Sequence, residues 1–536
     1  MKSKKIALGL LGVLLSISFQ TPVLACTGFI IGKDLTADGS TLYGRTEDLE
    51  PNHNKTFVVY EAKENKEGAK WVDKSNGFEY PLPAHSYKYT AVPDVTPEQG
   101  VYDEAGFNEH GVSISATVSA SANDAILKRD PYVKDGLAES SMASVILPHV
   151  KTAKEGVELL AKIVTEKGSA EGNIVVLADK DGVWYMEILS GHEYVAIKFP
   201  DDKFAVFPNT FFLGHVDFSD TTNVIASSKV EALAKEAKTY KEVDGKFHIA
   251  LSYNPDLSDA NRSRVYSGIK SLDPDSKVTY EDENYELLQS TDKKLTLEDA
   301  MALQRNRFEG LDLKPLDQME LDGKGKPKSK DAVEGYAYPI SNPNVMEAHI
   351  FQLKSDLPAE LGGGVMWLAM GSPRNAPYLP YFGNISKTYK AYQETSTKYN
   401  PDSWYWTVSH INDMVSAHPD LFGTEVIDEM KKLESTWRNE QEVLNREIIG
   451  LSTEEAVKKA DETSLERAEK TFNRLKEIEM DLEKRLPDQE KLASKTSAES
   501  EKSTTPKTQN NIGLYLGLIA IVAAGLGFLI LRKKKA

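Results

Sequence analysis

The chain is nearly without cysteine: its 536 residues carry one, Cys26. No internal disulfide can form, and a lone cysteine in this position is a candidate reactive thiol. The ten histidines show no metal-ligand spacing. Asp273-Pro274-Asp275 lacks the rest of a calcium loop. No Gly-Lys-Ser/Thr phosphate loop and no internal repeat is seen. No cofactor and no metal are therefore expected. Positive charge is in deficit, with 64 Lys and Arg against 81 Asp and Glu, a net charge of −17. Such a surface repels nucleic acid and anionic lipid, and excludes both as expected partners.

What is present starts at the N-terminus. Lys2, Lys4 and Lys5 precede an apolar run from Ile6 to Phe19, and Val23-Leu24-Ala25 closes the segment with small residues at Val23 and Ala25. Residues 1–25 read as a signal peptide cut after Ala25. Cys26 would then carry both a thiol and a free α-amine. An α-amine titrates at about 7.7–8.0, far below lysine, so one residue would supply a nucleophile and its base. The same residues also read as a lipoprotein box in which the sulfur is lipidated. Leu24 is large for that motif, and the chain carries an apolar segment of its own at the other end.

That segment, Ile512 to Leu531, has 20 residues and no charge, long enough to span a bilayer. Arg532 to Lys535 follow, so residues 532–536 read as a basic cytoplasmic tail. The expectation is an exported, cell-surface protein anchored by a C-terminal transmembrane helix. Thr505-Pro506-Lys507-Thr508-Gln509 faintly resembles a sortase motif but lacks its leucine and glycine, which argues against sortase anchoring. Residues 487–511 read as a disordered spacer. Residues 423–486 are charged and helical, a hairpin broken at Gly450–Glu455. One apolar stripe comprises Trp437, Val443, Leu444, Ile448 and Leu451; the other comprises Leu465, Phe472, Leu475, Ile478 and Leu482. Residues 26–422 form the expected catalytic domain. Strand-like runs at Gly28–Ile31, Thr56–Tyr60, Val112–Thr117, Asn173–Ala178, Val183–Ile188, Val195–Phe199 and Val365–Met370 alternate with helical periodicity at Ala138–Val150 and Ala153–Lys167. This pattern indicates a layered α/β or α+β core.

The start Cys26-Thr27-Gly28-Phe29 leads through Asp38-Gly39-Ser40 into a second strand ending Arg45-Thr46-Glu47-Asp48. A hairpin of this length returns Arg45 and Asp48 to Cys26. An arginine there favours a thiolate, and a carboxylate there can hold the α-amine.

On these residues the chain resembles the cysteine N-terminal-nucleophile hydrolases, and most closely the C69 dipeptidases. Gly106-Phe107-Asn108-Glu109-His110-Gly111 is similar to the family's Gly-x-Asn-Glu-x-Gly turn. Thr152–Gly156, Asp179–Glu187 with Trp184, Pro200-Asp201-Asp202, and Glu347–Gln352 followed by Gly364–Trp367 extend the resemblance in order, over roughly Cys26 to Gly383. The resemblance implies an α+β fold, a four-layer αββα sandwich with a C-terminal helical extension, and hydrolysis of dipeptides without a metal. It implies Cys26 as nucleophile, Arg45 and Asp48 beside it, and Asn209 as oxyanion donor. Arg264 matches the late active-site arginine, with Arg262 able to take that place. The related acylases have a further asparagine where this chain reads Ser115-Ala116-Thr117-Val118-Ser119, so a backbone N–H or Thr117 would serve instead. Asp48 and Glu109 are candidates to receive a substrate ammonium. Asn108 and Glu109 read otherwise as turn chemistry, and His349 as a core histidine. The alternatives are an N-acyl amide hydrolase on the same fold and a non-enzymatic surface lipoprotein. Oligomeric state is open, with a homo-oligomer possible.

Overall fold

Local chemistry sets the first hairpin. After the strand Thr27–Ile31, Asp38 Oδ1 accepts hydrogen bonds from Ser40 N at 3.1 Å and Ser40 Oγ at 2.6 Å, while Gly39 takes φ 71°. An aspartate bonding two residues ahead, with glycine in the left-handed region, turns the chain back as Thr41–Asp48. The computed structural model describes residues 26–49, 53–96, 100–319, 333–357, 361 and 363–486. It is a mixed α/β protein built around two antiparallel sheets.

The first sheet runs in the order Phe204–Phe207, Thr27–Ile31, Thr41–Asp48, Val345–Leu353, Gly364–Met370, Leu379–Phe382. Every residue of these strands is buried. The second sheet runs Val224–Ala226, Tyr194–Lys198, Gly182–Ile188, Gly172–Asp179, Ser113–Ala120, Gly100–Asn108, Tyr89–Thr96, with Asn54–Lys55 and Val58–Tyr60 on its outer edge. Rings from the two sheets meet edge to face. Tyr185 packs on Phe207 with centroids 5.2 Å apart, and Phe107 on Phe351 at 4.8 Å.

Helices Glu139–Ile146 and Ala153–Lys167 pack on the second sheet in one apolar core with Val175, Leu177, Met186 and Ile188. The longer helix starts because Thr152 Oγ1 accepts from Glu155 N at 3.2 Å, and ends at Gly168 with φ 78°. Its Val157, Leu160, Ile163 and Val164 recur at helical spacing and are buried, each worth about 1.5–3 kcal/mol. The other helix stops at Ile146 rather than Val150: Leu147 still has α dihedrals and bonds Ala143 O, but Pro148 has no N–H to continue the ladder. Helix Asp259–Leu272 packs on the first sheet through Gly268, where a Cβ would stand 2.6 Å from Val206. Helix Leu297–Gln304 is opened by a Thr296–Asp299 capping box, and Gln304 Nε2 donates to His349 O at 3.1 Å.

Helices Trp404–Ala417, Thr424–Ile448 and Thr453–Arg485 follow. The chain divides into two compact units, Met1–Glu479 and Met480–Ala536. Within the first, Glu434 of the long helix ion-pairs with Arg305 at both carboxylate oxygens and accepts Tyr378 N at 2.9 Å, all buried. Trp437, Leu444 and Ile448 form the buried seam. Val443 and Leu451, expected in it, are 46% and 39% exposed. Val443 lies one residue, or 100°, off the seam, and Leu451 lies beyond the helix end.

The expected membrane anchoring is corrected. Among the described residues no helix is long and apolar enough to cross a membrane. The run Ile512–Leu531, the spacer, the basic tail and the 1–25 leader all lie outside the described residues.

Candidate active site

Two elements bring the first candidates together. Pairing of Thr27–Ile31 with Thr41–Asp48 sets Thr27 opposite Thr46 and Gly28 opposite Arg45. Strand Phe204–Phe207 flanks the other side, with Gly28 opposite Phe207. Glycine is required there, because a Cβ would stand 2.1 Å from the Phe207 ring. That close approach delivers Asn209, two residues past the strand, to the start of the chain's first strand.

Arg264 links these parts. Its Nη1 donates to Cys26 O, to Thr27 Oγ1 at 3.2 Å and to Asn209 Oδ1 at 3.0 Å. Its Nη2 donates to Asn261 Oδ1 at 2.7 Å and its Nε to Ala260 O at 2.9 Å. Asn261 Nδ2 in turn donates to Asn209 O at 3.0 Å. With Oδ1 of Asn209 held by Arg264, its Nδ2 has no acceptor among the described residues and is the end left to donate. Arg262 turns the other way, its Nη1 bonding Tyr280 O at 3.2 Å and Asp282 O. Residues two apart on a helix face opposite sides, so of the two it is Arg264 that reaches Cys26.

Arg45 is buried between the sheets. It ion-pairs with Glu104 and, at 3.3 Å, with Glu139 Oε1, while Glu139 Oε2 accepts from Ser119 Oγ at 3.0 Å. Alongside, Lys55 meets Glu47 at 2.6 Å. His349 bridges Glu347 at 3.0 Å and Ser115 at 2.9 Å, all buried. Asp48 accepts from Asn342 Nδ2 at 2.5 Å.

The electrostatics at Cys26 pull both ways. Cys26 is 7% exposed, and burial pushes its thiol well above its ordinary value. Arg45 pulls it down, but Glu139, Asp48 and Glu104 push it up. The thiol is therefore the resting form, not the thiolate that an isolated arginine would favour. Burial likewise raises Asp48 to about 8, against the pull of the Arg264 guanidinium and the Asn342 amide. At neutral pH Asp48 rests mostly protonated.

Other sequence candidates lie elsewhere. Asn108 is wholly buried in turn chemistry, donating to Leu147 O and Val150 O and accepting from His110 N and Val112 N. Glu109 accepts Lys88 N at 2.9 Å and lines a surface cleft with Asn384 and Asp461. At Thr117 the strand register jumps, from Ala116 opposite Val175 to Val118 opposite Ile174, a bulge. The Thr117 side chain lies outside the described residues.

Sequence reading missed Glu104, Glu139, Asn261 and Asn342. Asn261 was accessible, since it stands three residues before Arg264 on a helix, the spacing at which side chains meet. Glu104 and Glu139 had a weaker signal: a buried arginine needs acids, but which acids is a long-range matter.

With this geometry in view, relatives can be compared. The sequence profile of Peptidase family C69 matches residues 25–432. A "Probable dipeptidase B" of Streptococcus pyogenes serotype M3 is 75% identical over 494 residues, 92% of this chain and 99% of that protein. A "Probable dipeptidase" of Latilactobacillus sakei is 34% identical over 416 residues, 77% of this chain and 85% of its own length. Among solved structures, a mutant conjugated bile acid hydrolase from Clostridium perfringens is 14% identical, covering 64% of this chain and 89% of that one. Its TM-score is 0.27, too loose a superposition to carry an argument. The chain belongs to peptidase family C69.

Proposed function

We propose that this peptidase is a cysteine dipeptidase whose nucleophile is Cys26, active once removal of the residues ahead of it frees its α-amine. The observation that carries the reading is the single guanidinium of Arg264, bonded to both the Cys26 carbonyl and the Asn209 carboxamide. It ties the nucleophile's backbone to a free N–H donor. Helix pairs on the outer faces of two sheets whose rings interdigitate support the four-layer αββα arrangement of N-terminal-nucleophile hydrolases. The domain reading that goes with it is a catalytic core of residues 26–422 with a helical extension of residues 423–486.

Burial keeps the thiol protonated, so attack needs a base within reach. The freed α-amine takes the Sγ proton as sulfur bonds to the scissile carbonyl carbon. The carbonyl electron pair moves to oxygen, where Asn209 Nδ2 and backbone N–H groups receive it. Each such donor is worth on the order of 10²–10³ in rate. Collapse breaks the C–N bond, the amine returns its proton to the leaving nitrogen, and a thioester remains. Water, deprotonated by the same amine, then hydrolyses the thioester and restores the thiol.

The relatives' names support short peptides as substrates. Glu139, which acts on the thiol and also accepts from Ser119, favours a substrate bringing an ammonium over an N-acylated one. A chain beginning at Cys26 should cleave unblocked dipeptides, and N-acetylated ones poorly. Cys26→Ala should fold and be inert, and a chain with residues stably fused ahead of Cys26 should be inactive. Mass spectrometry of the N-terminus together with peptide-library digestion checks this. Activity from the stably extended chain would sink the N-terminal mechanism, and preference for N-acylated substrates would replace dipeptidase by acylase.

A further inference from the structure

Glu187 sits wholly buried on strand Gly182–Ile188, with no cation paired to it among the described residues. One of its oxygens, Oε1, accepts three hydrogen bonds: from Phe212 N at 2.5 Å, Leu213 N at 3.1 Å and Tyr185 OH at 2.7 Å. The other, Oε2, has no hydrogen-bond partner among the described residues. A buried, unpaired carboxyl group is expensive, and burial raises this one to about 7 despite its three donors. Such a group persists where it meets a need that an apolar residue cannot meet.

The need lies in the segment it grips. Asn209 begins an irregular stretch with no sheet ladder to satisfy its backbone. Phe211 N and O are taken by Asn254, at 2.9 and 2.8 Å, and the next two N–H groups go to Glu187. Without the carboxyl oxygen two buried donors would be orphaned, and the stretch would shift to find water. Tyr185, which donates to the same oxygen, packs edge-on against Phe207, two residues before Asn209. Glu187 thus grips the chain on both sides of Asn209 without touching Asn209 itself.

We propose that Glu187 is a positioning residue that holds the Asn209 amide at the scissile carbonyl by anchoring the backbone of Phe212 and Leu213. The proposal rests on the reading of Asn209 as an oxyanion donor. A displacement of about 1 Å in such a donor costs on the order of 10²-fold in rate.

The test uses the chain beginning at Cys26, with steady-state kinetics on an unblocked dipeptide and thermal unfolding as a check on folding. Glu187→Asp withdraws the oxygen by one methylene and should lower kcat by about 10–100-fold with little change in KM. Glu187→Gln keeps Oε1 as acceptor and puts its amide nitrogen where Oε2 has no partner, so kcat should recover to within a few-fold of the parent. In an Asn209→Ala background, Glu187→Asp should cost nothing further. A folded Glu187→Asp with unchanged kcat, or a loss that persists undiminished beside Asn209→Ala, overturns the positioning role while leaving the dipeptidase reading intact. Normal kcat in Asn209→Ala alone overturns the oxyanion reading and this proposal with it.

Discussion

Two arginines on one helix separate chemistry from packing. Arg264 holds Cys26 and Asn209, whereas Arg262 bonds the carbonyls of a surface loop. Arg264→Lys keeps the charge but cannot reproduce a planar fork serving several acceptors. It should lower kcat by about 10²-fold or more, on the scale of a lost oxyanion donor, while Arg262→Ala stays near parental. Equal losses in the two variants would show that the helix, not the guanidinium, matters. Asp48 carries a pH signature. Its pKa, about 8 in the folded chain, stands above the unfolded value near 4. Between those limits the unfolded state binds fewer protons than the native one. The contribution of Asp48 to stability is therefore full below about pH 4 and lost progressively as pH rises to about 8. In a chain still carrying residues ahead of Cys26, Asp48→Asn should flatten this part of the stability profile, read as the urea midpoint at several pH values. Parallel profiles for variant and parent would exclude Asp48 as the source.

At the level of elements, Arg45 belongs to the first sheet but finds its partners on the second sheet and the helix beyond it. Its loss strands two buried carboxyl groups. Arg45→Ala should thus cost about 3–5 kcal/mol of stability in addition to rate, measured by chemical denaturation. A loss of rate at unchanged stability would reduce Arg45 to a purely local role. Element identity itself was legible where the signal was local. The Asp38-Gly39-Ser40 turn, the Thr152 cap and the Ser452–Glu455 capping box each bond within four residues of themselves. Strands Tyr89–Thr96 and Gly100–Asn108 escaped sequence reading, because acids and prolines interrupt them. Their Asp94, Asp103 and Glu104 are buried against His53, Ser144 and Arg45, partners far away in sequence or supplied by other elements.

Across the whole molecule, the boundary drawn at residue 423 is crossed by a buried charge. Arg305 of the core is satisfied by Glu434 of the long helix, which also caps Tyr378 N. Removing one member of a buried pair costs about 3–5 kcal/mol because the other charge stays behind. Glu434→Ala should lower the unfolding midpoint of the entire chain in one transition, and truncation after Phe422 should yield insoluble protein. A separate, earlier melting of the helices, with the core unchanged, would show that residues 423–486 fold as an independent module.

The sequence alone determined what depends on residue type and short spacing. These were the one available thiol, the hairpin that returns Arg45 and Asp48 to it, the order of motifs that resembles family C69, and the absence of a metal-ligand pattern. It could not choose between Arg262 and Arg264, because both stand at plausible spacings and only helix rotation against the first sheet separates them. It could not foresee that burial would outweigh Arg45 at the thiol, since desolvation is set by atoms brought in from every layer. Nor could it name Glu104 and Glu139 as partners of Arg45, Glu187 of Phe212 and Asn342 of Asp48, pairs that stand 25 to 294 residues apart along the chain. Local bonds are written in neighbouring residues; the cost of burying a charge, and the partner that offsets it, exist only once the layers have closed.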